Sequence, residues 1–134
     1  MGNFELLPHA TEVAIKVTAA TKAGLLSASI QGMFAASAPQ FAGDEERTHH
    51  FLIKSADFPA LLVDTLNNII SQASANREAY ETVRFDLLTD TQAEGTATGR
   101  PIKGFGTEIK AAKRDGLKVE KNEEKKWETT VVFD

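Results

Sequence analysis

The amino-acid sequence predicts an α+β fold of two layers, in which two helices pack on one face of a mixed, mostly antiparallel sheet. Segments that alternate apolar and polar residues indicate strands, and two apolar stripes at helical spacing indicate helices. Both helical segments lie in the first part of the chain, whereas the later part carries consecutive strands. The 134 residues suffice for one core, so residues 1–134 are expected to form one domain.

The first elements are a strand and a helix. Residues 4–7 predict a short lead-in strand, and residues 13–18 predict a strand with its apolar side chains on one face. Thr21 is a suitable N-cap for a helix over residues 22–38, and Pro39 follows its end. The apolar stripe of this helix consists of Leu26, Ile30, Met33 and Phe34.

A second strand and a second helix follow. Residues 48–54 predict the strand, and Asp57 is placed to cap a helix that extends to about Asn76. Pro59 is tolerated there because it falls in the first helical turn. The buried stripe of this helix consists of Leu62, Leu66, Ile69, Ile70 and Ala73.

The remaining chain predicts strands. Residues 81–89 alternate most clearly, with Phe85 expected in the core, and residues 94–100 do so more weakly. Glycines and a proline in residues 99–106 predict a flexible loop. Strands are then expected over residues 107–113 and 117–121, joined by an Asp-Gly turn, and the last strand ends at the end of the chain.

Composition excludes several classes of protein. The chain is 42% hydrophobic and 25% charged and has no run of 18 apolar residues, so no membrane span is expected. No secretory signal is visible, so the cytoplasm is the expected location. The absence of cysteine excludes disulfides and thiolate sites. The net charge of −4 disfavours tight direct binding of nucleic acid and favours a protein partner or a cation held by acids.

Two acids stand at the ends of predicted strands, and these ends are expected to meet at one rim of a sheet. Glu12 directly precedes the strand of residues 13–18, and Asp134, as the last residue, is expected to supply a side-chain and an α-carboxylate. Such groups repel each other at short range unless a cation or a lysine lies between them. The pair is therefore a candidate site for a hard cation of the Ca²⁺ or Mg²⁺ class. The alternative is two solvated acids at strand ends.

Two other residues are candidates for contact with a partner or a phosphate. His9 precedes the first long strand and suits a ligand, a general base or a hydrogen-bonded loop residue. Lys110 is expected to face away from the core because its neighbour Ile109 faces it, although a solvated charge is the alternative. His49 and His50 are adjacent in a strand, so they point to opposite faces and cannot bind one ion together.

Four segments in this order resemble the archease family. Residues 4–12, FELLPHATE, are similar to the opening motif ELLPHTAD of that family, and residues 61–70 match its LLV-x-x-LN-x-x-L helix. Residues 108–111 match the first half of its EIKAVTYH motif, and Phe133-Asp134 matches its closing strand, which ends in Asp-Ile. The chain departs from these motifs at Glu12, which replaces an aspartate, and at residues 113–115, where Lys-Arg-Asp replaces Thr-Tyr-His.

The resemblance implies a protein co-factor and not an enzyme. Archeases promote guanylylation and multiple turnover of the RtcB-type RNA ligase in tRNA splicing and RNA repair. By this resemblance, Glu12 and Asp134 would bind a divalent cation, and Lys110 would stabilise phosphate charge. Two hypotheses remain open besides an independent metal-dependent hydrolase. One is such an activator, and the other is a chaperone-like or protein-binding module that has lost the metal-centred role.

Overall fold

The computed structural model describes residues 2–7 and 12–134, which contain two helices and eight strands. The strands are β1 (Gly2–Leu7), β2 (Val13–Ala19), β3 (Pro39–Phe41), β4 (Arg47–Lys54), β5 (Glu78–Leu88), β6 (Gln92–Phe105), β7 (Glu120–Lys121) and β8 (Trp127–Phe133). The helices are α1 (Lys22–Ser37) and α2 (Phe58–Asn76). The predicted α+β class is confirmed. Neither helix is long and apolar enough to cross a membrane, as far as the described residues go.

The first sheet brings the early and late parts of the chain together. Its strand order is β1-β2-β8-β7. β2 and β8 are antiparallel, with Val13 opposite Phe133 and Ala19 opposite Trp127. The start of β2 and the end of β8 therefore lie at the same rim of the sheet.

The second sheet is organised by the long strand β6. Strands β3, β4 and β5 all pair with it. The strands are thus divided between two sheets where the sequence predicted one. Every strand pair in the described part of the chain is antiparallel, so the predicted, mostly antiparallel character is confirmed. The sheets are not mixed there, since they contain no parallel pair among the described residues.

The predicted flexible loop over residues 99–106 is wrong, because β6 continues to Phe105. Gly99 explains the difference. A Cβ atom at this position would overlap the carbonyl oxygen of Ala79 on β5, so only glycine allows the two backbones to approach this closely. The glycine therefore serves strand pairing here and not a turn.

The two strands predicted after this loop are also largely absent. Of residues 107–121, only Glu120–Lys121 forms a strand, and Ala112 makes an isolated bridge to Phe133. The Asp-Gly turn between them is present, since Gly116 has a φ of 75° and Leu117 N donates to Arg114 O over 3.1 Å. The segment is held by bonds to other elements, which alternation of side chains does not reveal.

The helices begin where their capping residues predict. The Thr21 hydroxyl accepts from Gly24 N over 3.0 Å, and Asp57 Oδ1 accepts from Ala60 N over 2.9 Å.

α1 packs mainly on β1, β2 and β5, and α2 packs on β4, β5 and β6. Buried side chains from both helices and both sheets form one core. The predicted core residues Leu26, Ile30, Phe34, Leu62, Leu66 and Ile69 are buried. Phe85 was also predicted there, but it is only partly buried at the margin of the core.

Candidate functional site

The register of the first sheet places the two predicted acids side by side. Glu12 directly precedes Val13 and Asp134 directly follows Phe133, and these two strand residues pair with each other. Glu12 and Asp134 therefore flank the last residue pair of the β2–β8 ladder. The expectation that both acids lie at one rim agrees with this geometry.

A third segment extends this rim beside the end of β8. Asp134 N donates to Ala111 O over 2.8 Å, and Lys110 N donates to Asp134 O over 2.9 Å. Further along, Lys113 N donates to Val132 O over 2.8 Å. These three backbone bonds hold residues 110–113 alongside the residues that end the chain, although this segment is not a regular strand.

Helix α2 holds the same segment from the other side through Asn67. The backbone N–H of Ala112 donates to Asn67 Oδ1 over 2.7 Å, and Asn67 Nδ2 donates to the Ala112 carbonyl oxygen over 3.3 Å. One amide side chain thus satisfies both backbone groups of a buried residue. The side chain of the next residue, Lys113, therefore extends from a backbone whose position is fixed.

The Lys113 ammonium lies between the two acids. It forms an ion pair with Glu12 Oε2 and a second ion pair with Asp134 Oδ1 at 3.2 Å. The hydrogen bond to Glu12, and to a smaller extent the one to Asp134, raises the pKa of Lys113 above its ordinary value, so the ammonium stays charged. We call Glu12, Lys113 and Asp134 the rim cluster. Its side chains are partly exposed, at 23% for Glu12, 37% for Lys113 and 54% for Asp134.

The rim cluster does not fit a bridging divalent cation as it stands. Carboxylate oxygens are the donors that Ca²⁺ and Mg²⁺ prefer, and Glu12 and Asp134 supply them. However, the Lys113 ammonium already lies within ion-pair distance of both carboxylates, where such a cation would have to lie. Within residues 2–7 and 12–134, no group of three or more histidine, aspartate or glutamate side chains is placed to hold a metal ion. The divalent cation expected from the resemblance stays a prediction.

Lys110 lies next to the rim cluster in the chain but is not part of it. Its backbone is bonded to Asp134, whereas its side chain is exposed. It lines an open surface cleft of about 600 Å³ together with Asn67 and Ser71 of α2. The predicted contact with a phosphate or a partner is sterically possible there and stays a prediction. The other candidate for this role, His9, lies outside the described residues.

The paired histidines of β4 point to opposite faces of the sheet, as expected. His49 Nε2 lies 3.1 Å from Asn68 Oδ1 of α2, while His50 Nε2 lies 3.4 Å from Glu94 Oε2 on the neighbouring strand. The two rings therefore face opposite sides of the second sheet. They do not converge on one ion.

Sequence reasoning missed two residues that shape this site. Asn67 was noticed only as part of a motif, and Lys113 only as a departure from one. A signal for Lys113 was available, because two acids at one rim require a cation or a lysine between them. Lys113 lies in the strand predicted over residues 107–113, so it was a candidate for this position, as was Lys110. We call the two hydrogen bonds between the Asn67 side chain and the Ala112 backbone the Asn67 clamp. No comparable signal in the sequence reveals this clamp, since it joins residues 45 positions apart.

Comparisons with known proteins agree with this architecture. A crystal structure from Thermotoga maritima, described as "an archease, possible chaperone (TM1083)", superposes with a TM-score of 0.68 at 24% identity, covering 96% of this chain and 94% of that one. The solution structure of Methanobacterium thermoautotrophicum protein 1598 superposes with a TM-score of 0.67 at 16% identity, covering 98% of both chains. At these identities the likeness shows the fold.

Comparison by sequence gives the family. No curated protein sequence matches the chain. The model of the "Archease protein family (MTH1598/TM1083)" matches residues 4–134, which includes the strands, the helix and the late segment that form the rim. The chain therefore belongs to the archease family.

Proposed function

We propose that this chain is a protein co-factor, and not an enzyme, that promotes guanylylation and multiple turnover of an RtcB-type RNA ligase. The proposal combines membership of the archease family with the geometry of the rim cluster. The observation that carries it is the convergence of Glu12 and Asp134 on one rim, beside the exposed Lys110.

The rim presents charges of both signs to a partner. Glu12 and Asp134 offer carboxylates, and the exposed ammonium of Lys110 has no ion-pair partner among the residues described. Nucleotidyl transfer develops negative charge on phosphate, which a positioned ammonium stabilises. In this proposal Lys110 contacts phosphate in the ligase active site, while the carboxylates position basic groups of the ligase.

Formation of the ligase–guanylate adduct tests the proposal directly. The cognate ligase is mixed with GTP and its metal, and adduct formation is followed with this chain at substoichiometric amounts. Wild-type protein should accelerate the reaction through several rounds. Glu12→Ala and Asp134→Ala should each abolish the acceleration, and Lys110→Ala should reduce it.

A matched control distinguishes the effect of the rim acids from the effect of losing any surface carboxylate. Glu46 is an exposed acid in the loop between β3 and β4, on the other sheet, so Glu46→Ala should leave the acceleration unchanged. Circular dichroism should show that all variants are folded. Glu12→Asp restores the aspartate of the family motif. It should raise activity if the longer glutamate side chain positions its carboxylate less well. No acceleration by either the wild type or Glu12→Asp would contradict the proposal.

A chaperone-like or protein-binding module is the second candidate. Leu52 of β4 and Leu87 of β5 both pair with Glu94, from opposite sides of β6, so they lie on one face of the second sheet. They are 50% and 41% exposed and flank Glu94 on this face, so two large apolar side chains are available to a partner there. Suppression of aggregation of an unfolded client by the wild type, lost in a Leu52→Ser and Leu87→Ser double variant, would support this candidate.

A further inference from the structure

Lys113 lies where a cation that bridges Glu12 and Asp134 would lie. We propose that the Lys113 ammonium replaces a divalent cation at the rim cluster, so that this chain keeps its two carboxylates together without a bound metal ion. The inference concerns the isolated chain, so it can fail or hold independently of the proposed action on an RNA ligase.

The backbone of Lys113 is fixed, which distinguishes it from an ordinary surface lysine. Its own N–H is bonded to Val132 O over 2.8 Å, and the preceding Ala112 is buried and clamped by Asn67. The side chain is only 37% exposed. Because the starting point of the side chain is held by both β8 and α2, the ammonium reaches the carboxylates without a large loss of backbone freedom.

The charges of the rim cluster favour the ammonium once it is in place. One positive charge between the two side-chain carboxylates removes most of their mutual repulsion and leaves these three groups with one net negative charge. A divalent cation bound in addition would lie beside a like charge. To bridge the carboxylates it would instead have to displace the ammonium from Glu12 and Asp134 and leave it partly buried without them. Both routes weaken cation binding.

Calorimetric titration of the isolated protein with CaCl₂ and with MgCl₂ tests this inference. The variant Lys113→Met removes the ammonium but keeps an unbranched chain of similar length. Lys118→Met is the matched control, since Lys118 is an exposed lysine in the following loop and its loss changes the net charge equally. Wild type and Lys118→Met should bind Ca²⁺ no more tightly than about millimolar, whereas Lys113→Met should bind it about ten-fold more tightly or better.

A second measurement keeps the inference testable if Lys113→Met folds poorly. Thermal unfolding in EDTA and in excess CaCl₂ should give the same midpoint for the wild type, because a ligand that binds weakly stabilises little. Lys113→Met should be destabilised in EDTA and recover in CaCl₂. Tight Ca²⁺ or Mg²⁺ binding by the wild type, or equal binding by wild type and Lys113→Met, would overturn the inference. So would a large rise of the wild-type midpoint on addition of CaCl₂.

Discussion

Asn67 and Ala112 are joined by two hydrogen bonds, although they are 45 positions apart in the chain. The Asn67 side chain accepts from the backbone N–H of Ala112 and donates to its carbonyl oxygen, over 2.7 and 3.3 Å. Helix α2 is thereby fixed to the segment that carries Lys113. The clamp couples the helical layer of the fold to the charged rim of the first sheet.

Replacement of Asn67 should destabilise the fold. Asn67→Ala leaves both backbone groups of the buried Ala112 without these partners, which should lower the free energy of unfolding by about 1–3 kcal/mol. The amide of Ala112 should also exchange with solvent faster than in the wild type. Chemical denaturation and hydrogen exchange measure the two effects.

The matched control for this change is Asn76→Ala. Asn76 lies in the last turn of α2, is exposed, and hydrogen-bonds the side chains of Gln72, over 3.3 Å, and of Tyr80. Neither bond satisfies a buried backbone group, so its replacement should lower stability by less than about 1 kcal/mol. Equal effects of the two asparagine variants would show that the clamp does not stabilise the rim.

Elements specified by local chemistry were predictable from the sequence. The caps Thr21 and Asp57 fix the starts of both helices within a few residues, so the helix boundaries follow from the sequence. The length of β6 was not predictable, because a glycine such as Gly99 is equally compatible with a turn and with two closely paired strands. What decides between them is the position of Ala79 on another strand.

The candidate site was predictable only in part. The antiparallel pairing of β2 with β8 brings Glu12 and Asp134 to one rim, and alternation in both strands indicated that they belong to a sheet. Lys113 is contributed by a segment without regular structure, whose position depends on Asn67 and on backbone bonds to β8. Such tertiary bonds leave no periodic pattern in the sequence.

Leu66 is the sharpest test of the core. It is fully buried on α2, so Leu66→Ala should lower the free energy of unfolding by about 2–5 kcal/mol through lost burial and the cavity left behind. Leu52→Ala is the control, since that leucine is 50% exposed and should cost less than about 1 kcal/mol. Urea denaturation measures both. A neutral Leu66→Ala variant would mean that the register of α2 is wrong.

Gly99 tests the close pairing of β5 and β6. The added methyl group of Gly99→Ala would overlap the carbonyl oxygen of Ala79, so the strands must separate, at a cost of about 3–5 kcal/mol. At Gly43 nothing lies within 4 Å of an added Cβ, so Gly43→Ala should change stability by no more than about 1 kcal/mol. Denaturant midpoints report both. Similar midpoints for the two variants would contradict the close approach at Gly99.

The last prediction concerns Tyr80, whose side chain is fully buried. Its hydroxyl donates to Glu78 Oε1 over 2.7 Å, and Glu78 Oε2 lies 3.3 Å from Arg47 Nε. Burial, with the neighbouring Glu78 carboxylate, raises the pKa of Tyr80 to about 12. Since this is the only tyrosine of the chain, near-ultraviolet absorbance of the phenolate reports on Tyr80 alone.

The raised pKa makes stability fall with pH in the alkaline range. The unfolded chain releases the tyrosine proton at about pH 10, whereas the folded protein keeps it to about pH 12, so unfolding becomes more favourable as the pH rises between these values. Tyr80→Phe loses a hydrogen bond, so it should be less stable at neutral pH by about 1 kcal/mol. The stability difference between wild type and Tyr80→Phe should then shift by about 2–3 kcal/mol in favour of the variant as the pH rises toward 12. Urea denaturation of both proteins across this range measures the shift, and the absorbance midpoint of the folded wild type measures the pKa. A pH-independent difference, together with a phenolate midpoint near pH 10, would show that the Tyr80 hydroxyl is not held in a buried site.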